Sequence, residues 1–258
     1  MKNALILARK DTSAYFQSWT GILVYAFFVM LTGAFFCLLV TGYERLSAAA
    51  LAGTLQNAPQ TSLTHFVFGS FFSNVGWILT FLVPVLSMKA FSEEIRHKTL
   101  ELLFTYPLSD FDIVAGKYLG LIWYFFLLFF PTAGYVGFLY WTHASVDWGM
   151  LAAGFIGLFL FASAYLSLGL FVSTLTDSPA VTAMITCTVF LFLNGLEWLS
   201  GVTEGPAAVW ISQISPLAHY RDFTYGILDT SHIAYFVFFT LYFLFLSLRA
   251  LETRNWKG

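Results

Sequence analysis

The chain carries twelve lysines and arginines and fourteen aspartates and glutamates. Nine of these fall between Lys89 and Lys117: Lys89, Glu93, Glu94, Arg96, Lys98, Glu101, Asp110, Asp112 and Lys117. Long apolar runs stand on both sides of this cluster. Two kinds of chemistry suit it, phosphate binding and the docking of a partner. Gly116-Lys117 has the ending of a phosphate loop, but such a loop needs a glycine five residues before Gly116 and a serine or threonine after the lysine. Phe111 and Tyr118 hold those places, so the chain does not bind ATP that way.

Docking fits better. The pattern predicts a short amphipathic helix over 92–107. Ser92 is placed to cap its start, with Glu93 and Glu94 near the positive end of the helix dipole. Leu100, Leu103 and Phe104 share one face, while Glu94, Lys98, Glu101 and Thr105 lie on or near another. Pro107 stops the helix, and Ser109 with Asp112 three residues on predicts a capping box opening the next. Charges flanking an apolar edge suit a contact surface with a polar rim. A helix merely floating at lipid headgroups would favour bases, yet Glu93, Glu94, Glu101, Asp110 and Asp112 outnumber them here. Glu94, Glu101 and Leu103 are expected to carry much of the docking.

Elsewhere reactive groups are sparse. Glu197 is the one acidic residue within an apolar run. It stands near the run's end, where it can reach the interface or make a local hydrogen bond; a proton relay is the alternative. His65 and His232 sit at run edges, and His97, His143 and His219 between runs. There is no HExxH, no G-x-S-x-G and no pair of aspartates within the runs. Cys37 and Cys187 both lie in apolar sequence and read as membrane-buried thiols, not as a disulfide or metal pair. No metal or cofactor is expected on this chain, and no catalytic residue.

The elements that must position these groups follow from composition. Of 258 residues, 59% are hydrophobic and 10% charged, with a mean hydropathy of +0.76. A water-solvated domain carries about a quarter charged residues, so lipid is the expected surroundings. The net charge of -2 gives no reason to expect nucleic acid. Six runs are long enough to cross a bilayer: Ile22–Val40, Phe66–Met88, Tyr118–Trp141, Met150–Leu175, Ala180–Leu199 and Ile233–Leu248. With both termini on one side, that side holds ten of the twelve basic residues and the other only Arg45 and Arg221. The positive-inside rule then places both termini and the 92–107 segment in the cytoplasm. The N-terminus is expected to be retained, because the first long run follows an amphipathic stretch.

The expected fold is therefore an all-α polytopic membrane protein, a single domain over 1–258. Residues 1–20 are read as an interfacial helix with Leu5, Ala8, Thr12, Tyr15 and Trp19 on its lipid face, and Arg9 and Lys10 near anionic headgroups. Residues 42–65 read as a loop with at most one short helix. Residues 200–232 read as short helices lying on the outer interface.

The stretch FSEEIRHKTLELLFTYPLSDFDIVAGKYLG resembles the first cytoplasmic segment of type-2 ABC exporter permeases. The matching residues are Glu93, Glu94, Thr99, Leu100, Glu101, Leu102, Leu103, Thr105, Pro107, Ser109, Gly116, Lys117 and Leu119. Lys98 departs from the pattern, standing where such permeases usually have glycine. LARKDTSAYFQSWTG resembles the family's amphipathic N-terminal helix. SPLAHYRDFTYGILDTSHIAYF resembles the segment before the last span in the gliding-motility branch.

The resemblance implies six spans, with a cytoplasmic coupling helix set between spans 1–2 and 3–6. It implies a non-catalytic permease beside a second copy or a paralogous permease in a bacterial inner membrane. It also implies cytoplasmic ATPase subunits carrying ATP and magnesium, and in the gliding-motility branch a larger membrane-anchored accessory subunit. Glu93, Glu94, Arg96, Lys98, Thr99, Leu100, Glu101, Leu103, Phe104 and Pro107 are then the expected ATPase-docking residues. Two other readings are a secondary transporter, which would want ion-binding groups at mid-membrane, and a non-transporting scaffold that recruits a motor.

Overall fold

A computed structural model of the protein describes residues 2–52, 63–100, 109–141, 146–203 and 205–255. All regular structure among the described residues is helical. Helix α1 (Lys2–Gln17) stops at Ser18, whose hydroxyl accepts from the Gly21 N–H and caps α2 (Trp19–Leu51). A π-helical turn, His65–Gly69, runs directly into α3 (Ser70–Ser87). After the short α4 (Ser92–Arg96) come α5 (Asp110–Trp141) and α6 (Trp148–Leu175). Then follow α7 (Pro179–Val202), α8 (Pro206–Ile214), α9 (Pro216–Thr224) and α10 (Thr230–Asn255).

Among the described residues, six helices are long and apolar enough to cross a membrane, as expected. Helix α2 is longer than its apolar run: it continues to Leu51, through the first ten residues of the sequence expected to be a loop. Tyr43–Leu51 holds no proline, its only glycine lies just before it, and alanine and leucine dominate its end. Such residues propagate a helix already nucleated in the span. At 1.5 Å per residue the helix is about 50 Å long, more than a ~30 Å hydrocarbon core needs.

Helix α6 forms the centre. Phe161, Ala162, Ala164, Tyr165, Leu166 and Leu170 are buried, and neighbours approach its backbone where side chains are absent. The Phe72 ring of α3 fills the space beside Gly154, and Phe223 of α9 that beside Gly157. The Tyr220 hydroxyl of α9 donates to the Phe72 carbonyl at 2.8 Å. Helix α9 is thus a wedge between α3 and α6. Of the two helices described in the 200–232 segment, α8, with no buried residue, keeps the surface character expected of it, and α9 does not.

Inside the spans, neutral hydrogen bonds join the helices, and two buried ones form a chain through Asn194. The Tyr165 hydroxyl donates to Asn194 Oδ1, and Asn194 Nδ2 donates to Thr80 Oγ1 at 2.7 Å. It joins α3, α6 and α7. Glu197 lies 3.6 Å from Arg221 of α9, a local pairing within reach of the helix end.

The residues expected on one lipid face of α1 divide. Ala8 and Thr12 are buried against protein together with Ala4 and Leu7, whereas Leu5, 62% exposed, and Trp19, 81% exposed, remain on the surface. Two causes act. The break at Ser18 puts Trp19 on a different helix, so the spacing from Tyr15 no longer reports a shared face. And α1 packs chiefly on protein, along the start of α5.

Candidate functional site

The charged cluster of the sequence becomes a junction of four helix ends: the C-terminus of α3, all of α4, the start of α5 and the middle of α1. Helix α3 ends at Ser87 and the chain turns through Met88–Phe91 before α4. Ser92 does not cap α4; it is the first helical residue, and its hydroxyl donates back to the Met88 carbonyl. The Ser109–Asp112 box does form. The Asp112 N–H donates to Ser109 Oγ at 3.1 Å, and that hydroxyl donates to Asp112 Oδ2 at 2.9 Å.

The helix expected over 92–107 is interrupted after Arg96, and Leu100 is helical again; the rest of that span, 101–107, lies outside the described residues. The Lys98 N–H donates to the Ile95 carbonyl at 3.1 Å and the Thr99 N–H to the Glu94 carbonyl at 2.9 Å. This is a Schellman ending, which requires a left-handed residue, and Lys98 takes that place with φ +55°. Lysine therefore occupies the one turn where glycine would be relaxed. On one continuous helix Glu94 and Leu100 would stand about 120° apart. The turn lets Glu94 face inward while Leu100 is buried, 6% exposed.

Glu94 meets Lys117. The ammonium, on a side chain only 4% exposed, lies 2.7 Å from Glu94 Oε1 and 3.6 Å from Asp11 Oδ2 of α1. It also stands 5.1 Å from the centre of the Phe91 ring, an added attraction for a partly desolvated cation. One lysine thus ties α1, α4 and α5 together. Two glycines on α5 bring α1 close enough. A side chain on Gly116 would meet Leu7 Cδ2 at 2.9 Å and the Ala4 carbonyl at 3.0 Å; one on Gly120 would meet the Ala8 carbonyl at 3.2 Å. Gly116 and Gly120 thus form a GxxxG contact, the small-residue spacing of close helix pairs in membranes.

Two more bonds fasten the junction. The Tyr15 hydroxyl donates to the Leu86 carbonyl at 3.0 Å, and Lys89 Nζ to Thr20 Oγ1 at 2.9 Å. Burial, with the Asp11, Glu93 and Glu94 carboxylates adding to it, pushes the Tyr15 phenol far up from its ordinary pKa, which keeps it a neutral donor. A cavity of about 410 Å³ opens among these groups, lined in part by Lys10, Asp11, Lys89, Glu93 and His97.

Of the residues expected to dock a partner, Arg96, Lys98 and Thr99 are exposed around the Schellman turn, and Glu93 lines the cavity. Glu94 and Leu100 point into the protein. Glu101, Leu103, Phe104 and Pro107 lie outside the described residues. Sequence reasoning missed Asp11, and it placed Lys117 in the charged cluster and the permease pattern without giving it a partner. The spacing of Gly116 and Gly120 was the available signal for their meeting.

The comparison with protein families agrees with this architecture. The family model described as ABC-2 family transporter protein matches residues 5–256. No curated protein matches the chain.

Proposed function

Because the chain belongs to the ABC-2 transporter family, we propose that it is the membrane-spanning permease subunit of an ATP-driven exporter, non-catalytic itself and moved by separate cytoplasmic ATPase subunits. It would sit in a bacterial inner membrane with both termini inside, paired with a second copy or a paralogous permease. The likeness of residues 215–236 to the gliding-motility branch extends the proposal to a larger membrane-anchored accessory subunit.

The observation that carries this reading is the Lys117 junction. A surface that merely recruits a partner needs no fastening to the spans. Here the segment after α3 is tied through Glu94 and Lys117 to the base of α5, and through Asp11 to α1. A push on α4 would therefore reach α1, α3 and α5 together. Coupling of this kind works only if the ATPase binds the surface differently in its two nucleotide states. The exposed turn at Arg96–Thr99, together with Glu101, Leu103, Phe104 and Pro107 that follow it in sequence, is where that partner would sit.

The test is co-purification from native membranes in mild detergent, with the associated chains probed by a photoreactive ATP analogue. A labelled cytoplasmic subunit released by the Arg96→Glu, Glu101→Lys double variant supports the reading. A complex without any nucleotide-binding chain would favour the scaffold and defeat the permease.

A further inference from the structure

At the opposite end of the molecule, two histidines meet where α9 joins α10. His219 Nδ1 of α9 and His232 Nδ1 of α10 are 2.6 Å apart. The other ring nitrogens are both engaged: His219 Nε2 with the Gln213 carbonyl of α8 at 2.9 Å, and His232 Nε2 with Asp222 Oδ2 of α9 at 2.9 Å. The Tyr235 ring stacks on His219 with centres 4.0 Å apart, and its hydroxyl donates to the Ile214 carbonyl.

Counting hydrogens decides what this arrangement is. A carbonyl only accepts, so His219 Nε2 carries a hydrogen. The Asp222 carboxylate also accepts, so His232 Nε2 carries another. Two neutral rings would then point bare lone pairs at each other across 2.6 Å, which is repulsive. A third hydrogen between the Nδ1 atoms turns the contact into a charge-assisted hydrogen bond. Three ring hydrogens on two imidazoles make one positive charge, and Asp222 balances it. A metal ion fits this spacing less well, because two nitrogens on one tetrahedral zinc stand about 3.3 Å apart.

We propose that a single proton, bound between His219 Nδ1 and His232 Nδ1, is a structural ligand that fastens α9 to α10. The fastening matters because α9 is otherwise wedged against α3 and α6 through Tyr220 and Phe223. The proton therefore joins that wedge to the last span. Losing it sets lone pair against lone pair; adding a second sets two N–H groups and two charges against each other. The junction is tightest with one proton and loosens on both sides. Burial, the largest cause, pushes the His219 imidazole below the ordinary histidine range, and the Gln213 carbonyl and the Asp222 carboxylate act against it by favouring the charged ring. The other charged groups nearby are Asp229, in the turn before α10, and Arg221, which is paired with Glu197 of α7.

The test uses full-length protein in lipid nanodiscs, labelled with nitrogen-15 at histidine, with signals assigned through the His219→Gln and His232→Gln variants. Titration should show the pair losing its two protons in two separate steps that belong to the pair and not to either ring, as strongly coupled sites do. Thermal stability should peak between the steps, and Asp222→Asn should bring the upper step down. Two independent titrations near the ordinary histidine value would overturn the proposal. So would stoichiometric zinc binding at micromolar concentration that His219→Gln abolishes, since the occupant would then be the metal.

Discussion

Lys117 and Glu94 stand 2.7 Å apart, nitrogen to oxygen, across the gap between α4 and the base of α5. Removing the lysine strands two carboxylates, Glu94 and Asp11, in a partly closed site. Breaking one side of a buried ion pair costs about 3–5 kcal/mol, and the side-chain exposure of Glu94, 21%, argues for the low end. Lys117→Met should therefore lower the melting temperature in nanodiscs clearly, and Lys117→Met with Glu94→Gln should recover part of the loss. Additive effects of the two substitutions would mean that the pair carries no coupling.

Lys98 offers a change in the other direction. Its left-handed backbone costs an L-residue about 1–2 kcal/mol relative to glycine, partly offset by the larger entropy glycine loses on folding. Lys98→Gly should leave stability unchanged or raise it by up to about 1 kcal/mol, whereas Lys98→Val should lower it by at least as much. Chemical unfolding of the two variants in one detergent checks both signs. If valine were tolerated as well as glycine, the Schellman turn would not be the resting conformation.

What could be read from the sequence, and what could not, divides along physical lines. The six spans were legible because twenty apolar residues have few alternatives to a buried helix. The charged segment was legible because charge is rare in this chain. The end of α4 was not, since no glycine marked the turn: a lysine stands at position 98, and the periodicity of Glu94, Leu100 and Leu103 continues through it. The true face of α1 was not legible either. It depends on Gly116 and Gly120, more than a hundred residues away, and pairing between distant segments leaves no local period. Neither did any single motif mark the hydrogen-bonded chain from Tyr165 through Asn194 to Thr80, whose members are ordinary residues in three separate spans.

The α1–α5 contact depends on two missing side chains, which makes it easy to split. Gly120→Leu places four carbons where the Ala8 carbonyl and Asp11 Cβ lie 3.2 Å from a first one. Helix α1 should lift off α5, carrying Asp11 away from Lys117 and leaving the N-terminus open to protease. Gly134→Ala on the same helix is the control, since nothing stands within 4 Å of a side chain there. Proteolysis at equal rates in the two variants would show that α1 is held by other contacts.

Asn194 tests whether neutral hydrogen bonds hold the spans where ion pairs are absent. Its amide accepts from Tyr165 and donates to Thr80, and all three residues are buried. Asn194→Leu keeps the bulk but leaves the Tyr165 hydroxyl facing apolar surroundings. Polar contacts between membrane helices are worth about 0.6–2 kcal/mol each, and stranding a buried donor costs about 1–3 kcal/mol. A loss of about 2 kcal/mol is expected for Asn194→Leu. Tyr165→Phe added to it should restore most of that loss, because the stranded donor is then gone and only packing remains. The double-mutant cycle is measured by reversible unfolding in bicelles. A double variant less stable than Asn194→Leu alone would show that Tyr165 acts by another route, such as its stacking on Phe190 with ring centres 4.0 Å apart.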